Sequence, residues 1–372
     1  MTRSLDTEVF VAGGGPAGLA AAIAARRAGF HVILADRSHP PIDKACGEGI
    51  MPDGLGALER LGVAVPPEAC VPFRGIRFVD DAATVVADFL VGTGRGIRRT
   101  TLHEILLTAA AGAGVSMMWG AHVGASDAPN SITVEGRPVH ARWSIAADGH
   151  SSQLAAAARL HDSHPGRRRV GFREHYRIEP WSEHVEVHWS DCGQLYITPT
   201  ASDEVCVAFV TRRKDLRLPD ALRYFQVAQR RLRGAPSAKP VLGAITATRK
   251  LRAVFRDDLA LIGDASGSVD AITGEGLSMA FRQATALAAA MRAGDLALYQ
   301  RAHETIMRRP LMMAELMLMM DRHPRLRHRV LRVLASEPHL FERMLAVHVG
   351  ALSPLAIGLR NAANFGWRLI AA

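Results

Sequence analysis

Apolar and polar positions along the chain change period several times, and each change marks an element. Val9, Phe10, Val11 and Ala12 form a continuous apolar run that predicts a strand buried on both faces. Small apolar residues over 18–27 recur at helical spacing, and Val32, Ile33 and Leu34 form a second short run. Strand, helix and strand in that order predict a βαβ unit closing on Asp36. Further on, 55–61 predicts a short helix, 75–79 and 84–90 predict strands, and a strong helix runs from Arg98 to about Ala111. Runs at 115–118 and 132–134 predict a small meander. Between about 171 and 211 the period falls to two. Val185, Val187 and Trp189 alternate with polar residues, as do Leu195 and Ile197, then Val205, Val207 and Phe209, which predicts an antiparallel sheet. Beyond about 299 the chain reads as helical, basic and rich in methionine, most densely over 311–320.

The turns between these elements carry the candidate chemistry. The first strand runs into Gly13-Gly14-Gly15-Pro16-Ala17-Gly18. Gly13 permits a tight turn, Gly15 lets backbone approach a pyrophosphate, and Gly18 lets helix pack on strand. The helix N-terminus then directs free N–H groups and its positive end at phosphates, while Asp36 is placed to accept from a ribose diol. A second motif, Asp148-Gly149-His150-Ser151-Ser152, ends an apolar strand and starts a helix with serines as cap candidates. A third, Gly263-Asp264-Ala265, is followed by Gly274-Glu275-Gly276-Leu277, which opens an alanine-rich helix. Two free helix N-termini in one chain suit a ligand with a diphosphate at one end and an electron-rich ring at the other, which is FAD rather than NAD.

Composition narrows the class. The 372 residues suit a two-domain α/β protein; 48% are hydrophobic and 22% charged, which excludes a disordered or fibrous chain. A formal charge of +9 favours anionic partners, yet no nucleic-acid module or basic run interleaved with aromatics occurs. No apolar run is long enough to span a bilayer and no signal-peptide pattern opens the chain, so the reading is cytoplasmic, with peripheral membrane contact through the C-terminal helices left open. Cys46, Cys70, Cys192 and Cys206 lack the spacing of a zinc site, and no metal is expected.

Taken together, the three glycine motifs and Arg99 at the head of its helix resemble the FAD-dependent p-hydroxybenzoate hydroxylase superfamily, over roughly 6–295. The resemblance implies a Rossmann-like, glutathione-reductase-type FAD-binding domain, a second domain built on an antiparallel sheet, and a helical C-terminal region. The FAD-binding parts would be 1–75, 96–168 and 251–298, interrupted by a small β excursion at 76–95 and the substrate sheet at 169–250, with helices over 299–372. It also implies that Gly13, Gly15, Pro16, Ala17, Gly18, Asp36 and Arg37 hold the ADP moiety and that Asp148 and Gly149 meet the diphosphate region. Gly263 and Asp264 would meet the ribityl chain. Gly274, Glu275, Gly276 and Leu277 would stand near the flavin ring, with Cys46, Gly47 and Arg99 completing the cofactor set.

Within the superfamily the implied activity divides. The leading expectation is a monooxygenase, with NAD(P)H as transient reductant, that hydroxylates an aromatic or polyketide-like apolar substrate. Lys44-Ala45-Cys46-Gly47-Glu48-Gly49 also looks like the cysteine loop of geranylgeranyl-reductase-type enzymes, which reduce C=C bonds of lipids or isoprenoids. A non-catalytic flavoprotein or redox sensor is the third alternative. Cys46, His175, Tyr176 and Tyr196 are the candidate catalytic side chains by position and proton-transfer capacity.

Overall fold

The computed structural model describes residues 4–81, 83–125, 132–160 and 168–357. β1 (Leu5–Ala12), α1 (Pro16–Arg27) and β2 (Val32–Asp36) form the expected βαβ unit. The chain then departs through β3 (Gly49–Ile50), α2 (Pro52–Arg60), β4 (Val71–Phe73), β5 (Gly75–Val79), β6 (Thr84–Asp88) and β7 (Gly94–Gly96). It returns with α3 (Arg99–Gly112), β8 (Ser116–Trp119), β9 (Val123–Ala125), β10 (Ile132–Val134), β11 (Arg137–Ala146) and α4 (Gln153–Ala157). Next come β12 (Arg169–Arg177), β13 (His184–Ser190), β14 (Gly193–Ala201), β15 (Glu204–Thr211), α5 (Leu218–Ala221), α6 (Gln226–Leu232) and β16 (Ser237–Thr246). After β17 (Phe255–Arg256) and β18 (Leu259–Leu261) the chain is helical: α7 (Gly276–Ala293), α8 (Leu296–Arg322), α9 (Pro324–Ser336) and α10 (Pro338–His348). The remainder of the expected helical region, 358–372, lies outside the described residues.

Among the described residues the first sheet runs β17-β18-β11-β1-β2-β8, with β9 and β10 attached beside β11. Strands β18, β11, β1, β2 and β8 are parallel. The continuous apolar run of β1 follows from its central place. Val9 and Val11 join the core under α1, α3 and α7, while Phe10 and Ala12 join a second core under α4, β9 and β10. The run at 115–118 differs from expectation. Instead of forming a meander with 132–134, β8 enters this sheet parallel to β2, because α3 serves as a crossover between them.

The second sheet runs β16-β12-β15-β14-β13-β5-β6. Its pairs are antiparallel except β13 with β5. The strands expected as a separate excursion therefore extend this sheet. A lone hairpin is marginally stable, and Val85, Ala87 and Phe78 here share a core with Val187, Trp189 and Phe341. That same core holds Met320, Leu331 and Leu345, so α8, α9 and α10 close over the second sheet. No described helix is long and apolar enough to cross a membrane.

One buried ion pair ties the sheets together. Arg169 on β12 donates to Asp270 Oδ1 at 2.8 Å, and both side chains are 2% exposed. Asp270 Oδ1 also accepts from the Ile272 amide at 3.0 Å, which fixes the loop ahead of α7. Arg169→Met leaves Asp270 buried without its cation and is expected to cost about 3–5 kcal/mol in urea unfolding. In the double variant R169M/D270N more than 1 kcal/mol should be regained relative to the sum of the single changes, on the order seen for coupled neighbours. Strict additivity would show that the two do not interact.

Candidate functional site

Because β1, β11 and β18 are parallel neighbours, the loops that follow them open at one edge of the sheet. This brings Gly13 to Gly15, Asp148 with Gly149, and Gly263 with Asp264 into one crevice. Gly13 sits at φ +113°, and a Cβ there would run into the Ala147 carbonyl; a Cβ on Gly18 would run into the Gly13 carbonyl. At Gly15 a Cβ would meet nothing within 4 Å, so this backbone faces free space. Gly15 is also the N-cap of α1, with no side-chain cap. The N–H groups of the first turn and the positive end of the helix are thus available to a phosphate.

The loop is held from two sides. Gly14 donates its amide to Asp36 Oδ2 at 2.7 Å, and Ser38 donates to Asp36 Oδ1 at 2.7 Å. His103 of α3, fully buried, bonds through Nε2 to the Gly14 carbonyl at 2.8 Å. Burial lowers the His103 pKa, so the ring is neutral and its Nε2–H is the donor. Asp148 Oδ2 accepts from the Gln153 amide at 2.9 Å, and Ser152 caps α4 through Ala155 at 2.9 Å.

The crevice and the space between the second sheet and the C-terminal helices form one continuous cavity of about 610 Å³. Cys46, Gly47, Arg99, Gly274, Gly276 and Leu277 stand on its wall, and its apolar lining includes Phe78, Val187, Met317, Leu334 and Phe341. Met313, Leu316, Met317 and Met320 bring the methionine-rich part of α8 to the same wall. Unbranched, polarisable side chains of this kind accommodate irregular apolar ligands.

Behind Cys46 lies a buried polar network. Glu48 adopts φ +57°, uncommon for a side chain other than glycine, and its contacts enforce the strain. Glu48 Oε1 accepts from the Arg99 amide at 3.0 Å, its Oε2 lies 2.6 Å from His175 Nε2, and its own amide donates to Cys46 Sγ at 3.4 Å. Arg173 donates to His175 Nδ1 at 3.0 Å and to Asp43 Oδ1 at 2.5 Å. With Nδ1 accepting from Arg173, the His175 proton lies on Nε2 and points at Glu48. Ligand atoms of Glu48, His175 and Cys206 lie within 4.8 Å of one another. With the proton of His175 on Nε2 and the Cys206 thiol raised by burial, the trio is hydrogen-bonded beneath the loop. Cys46 is half-buried, and desolvation holds its thiol protonated against the pull of Arg99.

A second charged cluster lies at the start of α7. Glu275 Oε1 is 3.7 Å from Arg309 of α8, which also reaches Asp53 Oδ2 of α2 at 3.4 Å. His348, the last residue of α10, places Nδ1 3.6 Å from Glu275 Oε2. Burial raises the Glu275 carboxyl to about 8, partly offset by Arg309, and burial lowers His348 to about 4.

The structure therefore gathers Gly15, Pro16, Ala17, Asp36, Arg37 and Cys46 on one cavity, together with the loops after β11 and β18 and the start of α7. Gly13 and Gly18 act behind this wall as packing glycines. Tyr196 lines the cavity with its hydroxyl donated to the Ile272 carbonyl at 2.9 Å. His175 and Tyr176 do not reach the cavity: His175 supports the Cys46 loop, and Tyr176, buried, donates to Glu174 at 2.9 Å. The sequence pattern assigns no role to His103, Arg173, Asp53, Arg309 or His348, and it contains Glu48 only as part of the Cys46 loop. His103 had a signal, as the one titratable ring between Leu102 and Leu106 on a buried helical face.

The residues present suit a flavin dinucleotide. Gly15 leaves open space at an uncapped helix N-terminus, and Arg99, on the cavity wall, has a buried Nε without a partner. A family model described as "FAD binding domain" matches residues 6–304, and the chain belongs to that family. The menaquinone reductase of Mycolicibacterium smegmatis is 28% identical over 332 residues, 81% of this chain and 80% of that protein. The digeranylgeranylglycerophospholipid reductase 2 of Methanopyrus kandleri is 26% identical over 300 residues, covering 73% of this chain and 74% of its own. Among solved structures, a flavoprotein/dehydrogenase from Cytophaga hutchinsonii superposes with a TM-score of 0.82 at 17% identity, over 98% of this chain and 99% of that one.

Two outcomes follow from this geometry. His103→Phe removes the donor to Gly14 and is expected to weaken FAD binding about 5–30-fold, about 1–2 kcal/mol, in fluorescence titration of the apoprotein. A dissociation constant within about twofold of the parent would show that Gly14 is held without it. Glu275 keeps its proton in the folded chain up to about 8, whereas the unfolded chain releases it near 4.5. The unfolded state thus binds fewer protons in that window, and stability falls as pH rises through it. Glu275→Gln should remove that slope, worth on the order of a few kcal/mol across the window, when unfolding is compared at each pH.

Proposed function

We propose that this member of the FAD-binding domain family is a reductase that saturates a carbon–carbon double bond in a long polyisoprenoid chain. The observation that carries the reading is the apolar lining of the cavity beyond the crevice. The cavity does not stop at the cofactor crevice but continues as an apolar slot floored by the second sheet and roofed by the methionine-rich α8 with α9 and α10. A wall of unbranched and aromatic apolar side chains with few polar groups suits a prenyl chain, which offers no hydrogen-bonding atoms along its length. The relatives named as reductases of menaquinone and of a digeranylgeranyl phospholipid act, by those names, on molecules that carry such chains.

Bound FAD, reduced by a nicotinamide, would supply the two electrons. The chain's own residues do the rest. The Gly15 to Gly18 turn and Asp36 bind the dinucleotide, and the Gly274 to Leu277 turn lies along the cavity wall beside Cys46. The strained Glu48 turn and its His175 and Arg173 contacts fix Cys46, whose protonated thiol stands where crevice and slot meet. Apolar side chains exclude water, so hydrogen reaches the substrate from the site and not from bulk solvent.

The test is to reduce the FAD-loaded protein without air and mix it with geranylgeraniol or a short-chain menaquinone in detergent. Flavin reoxidation under anaerobic conditions is expected, with a product whose prenyl chain, and not its quinone ring, has gained two hydrogens and lost one olefinic bond. Oxidation that requires O₂ and yields a hydroxylated product would replace this reading with a monooxygenase.

A further inference from the structure

We propose that Glu275 and His348 are the proton-donating pair of this site, a role distinct from holding the cofactor. The inference rests on the reductive reading above. Both residues line the cavity at the end of the slot nearest the α7 turn. Glu275 Oε2 and His348 Nδ1 face each other at 3.6 Å, and neither has a hydrogen-bond partner although the side chains are 1% and 10% exposed. A buried polar atom left idle requires an explanation. Two of them, on facing elements and at a ligand cavity, are explained by a proton that is passed on.

The chemistry demands such a group. An isolated double bond offers no heteroatom to polarise, so one carbon must receive a proton as the other receives a hydride. In the balance the π bond breaks and two C–H bonds form. The hydride, two electrons and one hydrogen, comes from the reduced flavin; the proton comes from the Glu275 carboxyl. The resulting carboxylate recovers a proton from water by way of His348. Other candidates on the wall are less suited: the Tyr196 hydroxyl is committed to the Ile272 carbonyl, and the Cys46 thiol is a weaker acid, held above 9.0 by burial. Glu275, raised to about 8, still carries its proton at neutral pH, and His348, lowered to about 4, is neutral, held by a backbone bond at Thr273 with Nδ1 turned to Glu275.

The groups that face the pair are Arg309 of α8, Asp53 of α2 and Arg282 of α7. Arg309 bridges the two carboxyls, 3.7 Å from Glu275 Oε1 and 3.4 Å from Asp53 Oδ2, so a cation stands beside Glu275 and lowers its pKa against the rise that burial causes. This arrangement leaves the carboxyl able to give up a proton and the carboxylate tolerable afterwards.

The experiment uses the full chain loaded with FAD, reduced anaerobically, and mixed with geranylgeraniol and, separately, a short-chain menaquinone. In Glu275→Gln, substrate-driven flavin reoxidation should slow about 10²–10⁴-fold, with Glu275→Asp recovering part of the rate. In His348→Gln the first turnover should be less affected than later ones, since the relay is used in recharging. FAD affinity and flavin reduction by nicotinamide should change less than about threefold in each variant. The parent rate should fall with pH above about 8. A second readout needs no turnover: infrared spectra of the apoprotein should show a protonated carboxyl band that shifts in D₂O and is missing in Glu275→Gln. Reoxidation of E275Q at the parent rate, or absence of that band at neutral pH, overturns the pair and leaves the reductase reading standing. A reduced parent protein that neither prenyl compound oxidises overturns the reductase reading and the pair with it.

Discussion

The first turn of α1 is pressed against the end of β1, and the crevice depends on that closeness. Gly18 packs on the Gly13 carbonyl and Gly13 packs on the carbonyl of Ala147, so no side chain fits at either contact. Helix, strand and the neighbouring β11 loop are thereby locked at one separation. The Gly14 peptide is then clamped at both of its polar atoms, by Asp36 at the amide and His103 at the carbonyl. With the turn immobile, the helix N-terminus presents its N–H groups at a fixed point, and a ligand meets donors that need no reorganisation. The loops after β11 and β18 are positioned by the same sheet, because their strands pair side by side with β1.

Where the crevice meets the second sheet, the packing changes in kind. Apolar cores hold each half, but the seam between them contains buried polar and charged groups: Arg169 with Asp270, Arg173 with Glu48 and Asp43, and Arg309 with Asp53 and the protonated Glu275. Buried pairs of this sort add little net stability, since desolvation offsets the attraction. Their directionality accounts for them better. Asp270 orients the loop ahead of α7, Glu48 holds a left-handed turn under Cys46, and Arg309 links the start of α7 at Glu275 to Asp53 of α2. Each cluster sits beneath a different segment of the wall, so the shape of the site is set by polar contacts and its size by apolar ones.

Local pattern made much of this legible. The βαβ unit, the helices at α1, α3 and α7, and the alternating strands β13 to β15 follow from periodicity because each buries one face or both against a continuous core. Glycine spacing located the crevice for a related reason: the contacts of Gly13 and Gly18 are steric and lie within a few residues of the turn. What escaped was long-range. That β5 and β6 join the second sheet depends on packing against Trp189 and Phe341, far away in sequence. His175 and Tyr176 share a strand with alternating faces, yet both are buried, one toward Glu48 and one toward Glu174, and nothing in the order of residues tells which face the cavity occupies. His348 reaches Glu275 only because α8, α9 and α10 fold back over the sheet.

The fold alone leaves the chemistry undecided, since sheets arranged like these are found in a protein of 17% identity. The lining residues carry the distinction. A crevice rich in backbone donors and carboxylates stabilises a charged dinucleotide, whereas a slot of Met317, Leu334 and Phe341 stabilises a ligand without polar groups. A ligand of the second kind cannot be oriented by hydrogen bonds and must be held by length and shape. Its reactive bond is then selected by where the slot meets the crevice. That junction is bounded by Cys46 on one strained loop and by Glu275 and His348 on the facing helices, the groups on this wall with protons to give. An apolar ligand and a protonated carboxyl are consistent with each other: the desolvation that would favour a prenyl chain in the slot also keeps the proton on Glu275.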